Sequence, residues 1–309
     1  MKSTIHGLNQ LAVGRLTIAS FFLWFVLQTL GSAQNTHPPL RTIWARPGDT
    51  TFEGGGTIHY DGPLSDAGSA FDIHVNIGAG LTQSQAAHFN SAEQFWESKI
   101  NGYQPGITLT GVTINASASL IDGPGNVLGQ AGPTSTQTQG GFTLSTNGIM
   151  KFDTADLPAL ESSGSLSDVV LHEMAHVLGI GNLWDFGVNN LYNNNGQYTG
   201  TNGLNRYRSE FNQPTATHIP VELGGGAGTK HGHWDEVNGG DILTGVTDSQ
   251  GRDMRNELMT GWLDTPTFLA GFTIQSLSDL GYEVVPEPSG ASLILGFSLA
   301  LFAAFRPHR

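Results

Sequence analysis

Between residues 71 and 152 apolar and polar positions alternate with two different periods. Phe71, Ile73, Val75 and Ile77 recur every second residue, the spacing of a strand with one buried face. Thr82 stands three before Gln85 in the form of a capping box. Phe89, Ala92, Trp96 and Ile100 then follow at three- and four-residue steps, which predicts an amphipathic helix ending near Asn101-Gly102. Val112, Ile114, Ala116, Ala118 and Leu120 return to period two. Strand, helix and strand in succession predict a βαβ crossover and some parallel sheet. Two shorter alternating pieces lie at 142–144 and 149–152.

The pattern changes again at 165. Ser165 and Asp168 repeat the capping-box spacing, and 169–178 is apolar nearly all round, which predicts a buried helix. Inside it stands His172-Glu173-Met174-Ala175-His176. Histidines four apart lie one turn apart on one helix face, so two imidazoles reach a single metal ion, and Zn²⁺ suits neutral imidazole nitrogen. Glu173 is placed to take a proton from a zinc-bound water and pass it to a leaving amine. The alternative, a core helix with two satisfied histidines and a stray glutamate, leaves a buried carboxylate without a partner, which is costly. A catalytic zinc normally has three protein ligands, and the remaining candidates are His218, His231 and His233.

The stretch before residue 71 is different in kind. Pro38-Pro39, Pro47-Gly48, Gly54-Gly55-Gly56 and Asp61-Gly62-Pro63 interrupt it without sustained periodicity, so 34–70 reads as either a short pro-segment or an edge strand wrapped on the domain. Lys2 and Arg15 precede an apolar run at 16–30 and the small residues Gly31-Ser32-Ala33, so 1–33 reads as a secretory signal peptide. A second apolar run at 291–305 is followed by Arg306 and Arg309. At 15 residues it is short for a membrane span.

Composition narrows the partners. The formal net charge of −13 argues against nucleic acid, which relies on clustered Lys and Arg. The absence of cysteine removes thiol nucleophiles, thiolate metal sites and disulfides together. The many glycines, 42 in all, and a charged fraction of only 13% indicate a loop-rich surface of uncharged polar residues.

Several motifs in order carry a family resemblance. His-Glu-x-x-His runs on to Gly179, as in the metzincins, whose glycine turns the chain toward a third ligand; three residues further on, where the common pattern has histidine, stands Asn182. Downstream come the glycine-rich 224–228, His233-Trp234, Glu257-Leu258-Met259 and the tail 273–282. This set resembles the leishmanolysin-like metzincin zinc peptidases over roughly 71–285. The resemblance implies an α+β zincin-like catalytic domain, with a twisted mixed sheet, a zinc-binding helix and an irregular C-terminal half. It implies His172, His176 and His233 as ligands of one Zn²⁺, Glu173 as general base, Gly179 at the turn and Met259 in the Met-turn. Asp235 or Glu236 is expected to act as acceptor for His233. With no cysteine, the chain has no cysteine switch.

The tail, Val285-Pro286-Glu287-Pro288-Ser289 before the second apolar run, resembles the PEP-CTERM sorting signal of Gram-negative bacteria, so 286–309 reads as a sorting tail. That resemblance implies an exosortase-type sorting enzyme as a partner, and delivery to a cell surface or its exopolysaccharide matrix. Taken together, the sequence predicts an exported zinc endopeptidase acting on proteins or peptides. A surface adhesion or matrix-binding protein on the same scaffold, without proteolysis, is the rival expectation.

Overall fold

A computed structural model describes residues 37–52, 70–236 and 243–286. The signal-peptide reading, the second apolar run and nearly all of the sorting tail lie outside these residues. Among the described residues no helix is long and apolar enough to cross a membrane.

The fold is α+β around one mixed sheet of five strands. In chain order these are β1 (Arg41–Trp44), β2 (Asp72–Ile77), β4 (Gly111–Ser119), β5 (Val127–Gln139) and β6 (Phe142–Asp153), arranged β1-β5-β6-β4-β2. The expected crossover is present. β2 leads through α1 (Gln83–Glu97) and the short β3 (Ile100–Tyr103) to β4, which pairs in parallel with β2 on one side and with β6 on the other. Both halves of the Thr82–Gln85 capping box form. The helix ends earlier than its apolar spacing predicts, because Ile100 and Tyr103 pair with β9 (Tyr282–Val284) instead of continuing the turn. The two pieces at 142–144 and 149–152 are a single strand, β6, joined to β5 through Gly140 and Gly141, both at positive φ.

β5 carries no apolar alternation, and the reason is steric. It runs antiparallel to β6 over the buried helix α3 (Leu166–Leu178), where its glycines leave room for what lies beneath. A Cβ on Gly129 would sit 2.7 Å from a Glu173 carboxylate oxygen. A Cβ on Gly148 of the neighbouring β6 would collide with Val177.

α3 follows the short α2 (Leu157–Ser163). The expected capping box at its start does not form: Ser165 donates its hydroxyl to the carbonyl of Phe52 instead. Losing a cap costs about 1 kcal/mol. Each fully buried apolar side chain stabilises by about 1.5–3 kcal/mol, and Val169, Val170, Met174, Val177 and Leu178 are all buried, so packing and not capping holds this helix. Trp96 of α1 donates its indole N–H to the Leu171 carbonyl, fixing α1 against α3.

Among the described residues beyond Gly179 the elements are short. These are the two-residue pair β7 (Gln197–Tyr198) and β8 (Ile219–Pro220), α4 (Thr201–Glu210), a 3₁₀ turn at Met254–Asn256, α5 (Gly271–Asp279) and β9. An aromatic cluster unites them: Trp184 stacks on Trp234 at 4.6 Å, with Tyr198 and Phe272 edge-on to Trp234.

Candidate metal centre

α3 presents His172, Glu173 and His176 at its buried C-terminal end, beneath β5. The helix stops at Gly179, whose φ of +118° lies in the left-handed region that glycine tolerates. The N–H of Ile180 turns back to the Ala175 carbonyl, which aims the Ile180 carbonyl at His176. Gly181 then passes directly against Gly232, so closely that a Cβ on Gly181 would overlap the Gly232 carbonyl. That approach carries the next residue, His233, to the helix histidines across 57 positions of sequence.

The three imidazoles converge. Their Nε2 atoms lie 2.9 Å (His172–His176), 3.0 Å (His176–His233) and 3.2 Å (His172–His233) apart. His172 places Nδ1 2.6 Å from the Leu258 carbonyl, His176 2.9 Å from that of Ile180, and His233 2.8 Å from that of Thr229. A carbonyl only accepts, so each Nδ1 must carry the proton and each Nε2 offers a lone pair. Three lone pairs aimed at one another repel. A cation held between them resolves the repulsion, and these three residues are close enough to bind a metal ion.

Burial reinforces this state. It lowers the pKa of His172 to about 4, and it pushes His176 and His233 well below the ordinary value, with neighbouring imidazoles adding to the effect. All three are therefore neutral near pH 7.

Glu173 is completely buried, and neither carboxylate oxygen has a hydrogen-bond partner among the described residues. Burial drives its pKa well above the usual range; the N–H of Ile43 opposes that shift without making a hydrogen bond of normal geometry. An orphaned carboxylate beside converging imidazoles fits a group that acts on a further species brought to the site.

Met259 lies buried in the loop that supports two of the histidines. Its neighbour Leu258 accepts from His172, and its own carbonyl accepts the N–H of Trp234, next to His233. Glu257 ties the loop down, accepting from the N–H groups of Met259 and Ala270 and from the Thr273 hydroxyl, which in turn accepts from the Trp234 indole.

The structure thus brings together His172, Glu173, His176 and His233, with Gly179 and Met259 beside them. It separates the other candidates. His218 is half-buried beside Thr217, away from the cluster, and His231 contacts the Tyr192 hydroxyl. Asn182 is no ligand; its amide donates to the Pro39 carbonyl. The expectation that Asp235 or Glu236 supports His233 is not met, because the Thr229 carbonyl takes that place. Glu236 is instead buried without a side-chain hydrogen-bond partner among the described residues, its pKa raised to about 8 first by burial and then by Glu222. The carbonyl acceptors and the Ile43 N–H were not foreseen, because backbone groups leave no signature in a sequence; Glu257 stood in the Met-turn segment, but its anchoring role depends on Ala270 and Thr273, which only the fold brings to it. Compared with models of known protein families and with curated proteins, the chain matches none.

Proposed function

We propose that the chain is a zinc-dependent endopeptidase with a zincin-like catalytic domain of the leishmanolysin-like metzincin type. One observation carries the reading: three neutral imidazole Nε2 atoms converge within 3.2 Å while an orphaned carboxylate, Glu173, shares a helix with two of them. Zinc fits the donor set. Bonds of ~2.0–2.1 Å at tetrahedral angles separate ligand nitrogens by ~3.4 Å, so the imidazoles need open by only a few tenths of an ångström. When bound, zinc supplies Lewis-acid polarisation of the scissile carbonyl and makes water a competent nucleophile near neutral pH.

This chain's residues do the rest. The carbonyls of Leu258, Ile180 and Thr229 hold the three rings in one tautomer. Glu173 takes the proton of the attacking water and delivers it to the leaving amine. A scaffold for adhesion has no use for a buried carboxylate without a partner, which counts against the rival reading.

The Glu173→Gln variant should keep its zinc while peptide turnover falls by ~10²–10⁴ or more, since an amide cannot serve as the base. Wild-type turnover in the metal-loaded variant would sink the assignment.

The proposed setting is export to the surface of a Gram-negative bacterium, with an exosortase-type enzyme processing the tail and an exopolysaccharide matrix nearby. This rests on the Pro286-Glu287-Pro288 motif and the flanking apolar runs. Intact-mass measurement of the native surface protein tests it: retention of 290–309 replaces sorting and cleavage with a simple anchor.

A further inference from the structure

Two of the three converging histidines are tied to one hydrogen-bonded circuit outside the centre. Trp234, the residue after His233, is gripped at both ends. Its backbone N–H donates to the Met259 carbonyl (3.0 Å), and its indole N–H donates to the Thr273 hydroxyl (2.9 Å). Both grips lead to a single carboxylate. Glu257 accepts the Met259 N–H on one oxygen (2.6 Å) and the Thr273 hydroxyl on the other (2.7 Å), so Glu257, Met259, Trp234 and Thr273 close into a ring. Leu258, whose carbonyl lies 2.6 Å from Nδ1 of His172, stands between the first two members.

The circuit is anchored on its far side. The oxygen that serves Thr273 also accepts the Ala270 N–H (3.1 Å) at the start of α5, and the N–H of Leu258 donates to the Phe268 carbonyl (2.8 Å). All four members are buried. A carboxylate is costly to bury, and apolar packing in its place would fill the space without fixing where each donor stands; an acceptor of three donors fixes all three. His176 lies outside the circuit, because its Nδ1 faces the Ile180 carbonyl at the end of its own helix.

We propose that Glu257 is a positioning residue for the metal centre. Through its Met259 and Thr273 arms it sets where His172 and His233 stand relative to His176, and so tunes how tightly the three imidazoles hold an ion. The proposal rests on the zinc peptidase reading for the ion that is held, but the circuit stands on geometry alone.

The test cuts the two arms separately in the full chain. Glu257→Gln keeps the size and still accepts from Ala270 and Thr273, but turns an amide donor toward the Met259 N–H. Thr273→Val, the milder change, keeps the shape and removes the hydroxyl; Thr273→Ser restores it. Long-range ¹H–¹⁵N spectra of the imidazoles, recorded for the protein as purified and with zinc added, report each histidine, and competition with a chelating dye gives the zinc affinity. The His172 and His233 signals should shift in Glu257→Gln, and that of His233 above all in Thr273→Val, while His176 stays in place. Both variants should bind zinc ~10–100-fold more weakly, the loss typical when a group supporting a ligand is removed. Thr273→Ser should match wild type in both readouts. If the signals move in this pattern while wild type binds no zinc and cleaves no peptide, the positioning role is upheld and the peptidase reading alone falls. Unmoved His172 and His233 signals in the folded variants overturn the proposal, as does equal zinc affinity in wild type and both variants. A shift of His176 as large as theirs overturns it too, since that marks general loosening.

Discussion

At the scale of single residues the centre is defined by which atom of each histidine is already committed. His172, His176 and His233 each spend Nδ1 on a carbonyl, leaving Nε2 for a metal. His231, two positions from His233, has φ +65° and turns its Nδ1 to Tyr192 at 2.5 Å. This difference yields a prediction. His233→Ala should lose zinc and activity, whereas His231→Ala and His218→Ala should retain most of both. Metal analysis of the three purified proteins decides it; full occupancy in His233→Ala with loss in His231→Ala would move the ligand two residues upstream. His172, Glu173 and His176 were legible in the sequence because a helix converts a four-residue spacing into a shared face. His233 was not legible from spacing, since only the close passage of Gly181 against Gly232 brings it in, and its selection among the histidines came from the His-Trp resemblance.

Among the elements, legibility tracked how far local pattern decided the outcome. The β2–α1–β4 unit follows from its periodicities and its cap. β5 escaped notice because it is selected for thinness above the site: Gly129 and Gly132 stand where a strand would ordinarily show Val or Ile. In the same way β1 shows no alternation in sequence, since Arg41, Thr42 and Ile43 are all buried and the strand is paired along both edges, by β5 and by the loops at Gly228 and Gly261. Gly129 makes the steric argument testable. In Gly129→Ala the added methyl meets the Glu173 carboxylate, with the nearest oxygen at 2.7 Å and the Cγ at 3.0 Å. Overpacking of this kind costs about 1–3 kcal/mol. The protein should fold with near-normal zinc content but lose most of its turnover as the carboxylate is pushed aside. Unchanged kcat in the substituted protein would show that the strand has slack above Glu173.

For the molecule as a whole, the buried carboxyls outside the histidine cluster set how stability depends on pH. Burial raises Glu236 to about 8, helped by the nearby Glu222, and raises Glu257 to about 7 against three hydrogen bonds that favour its charged form. Both folded values exceed the ordinary 4.5 of an exposed glutamate, so the folded protein binds more protons than the unfolded chain across the interval between. The sign follows: the stability contributed by the neutral carboxyls is fully present below about pH 4.5 and is lost as pH rises through about 7 to 8. Glu236 is the cleaner probe, because Glu257 also organises the Met259 loop whereas neither Glu236 oxygen has a hydrogen-bond partner among the described residues. Glu236→Gln replaces a group that must ionise in a buried site with a neutral one of similar size. At pH 8.5 the variant should be more stable than wild type by on the order of 1–3 kcal/mol, the cost of an unmatched buried polar group. At pH 5, where the wild-type carboxyl is already protonated, the two should differ little. Urea unfolding of both proteins at the two pH values measures the difference directly. An effect of equal size at pH 5 and pH 8.5 would mean that the substitution acts through packing, and that Glu236 does not ionise in this range.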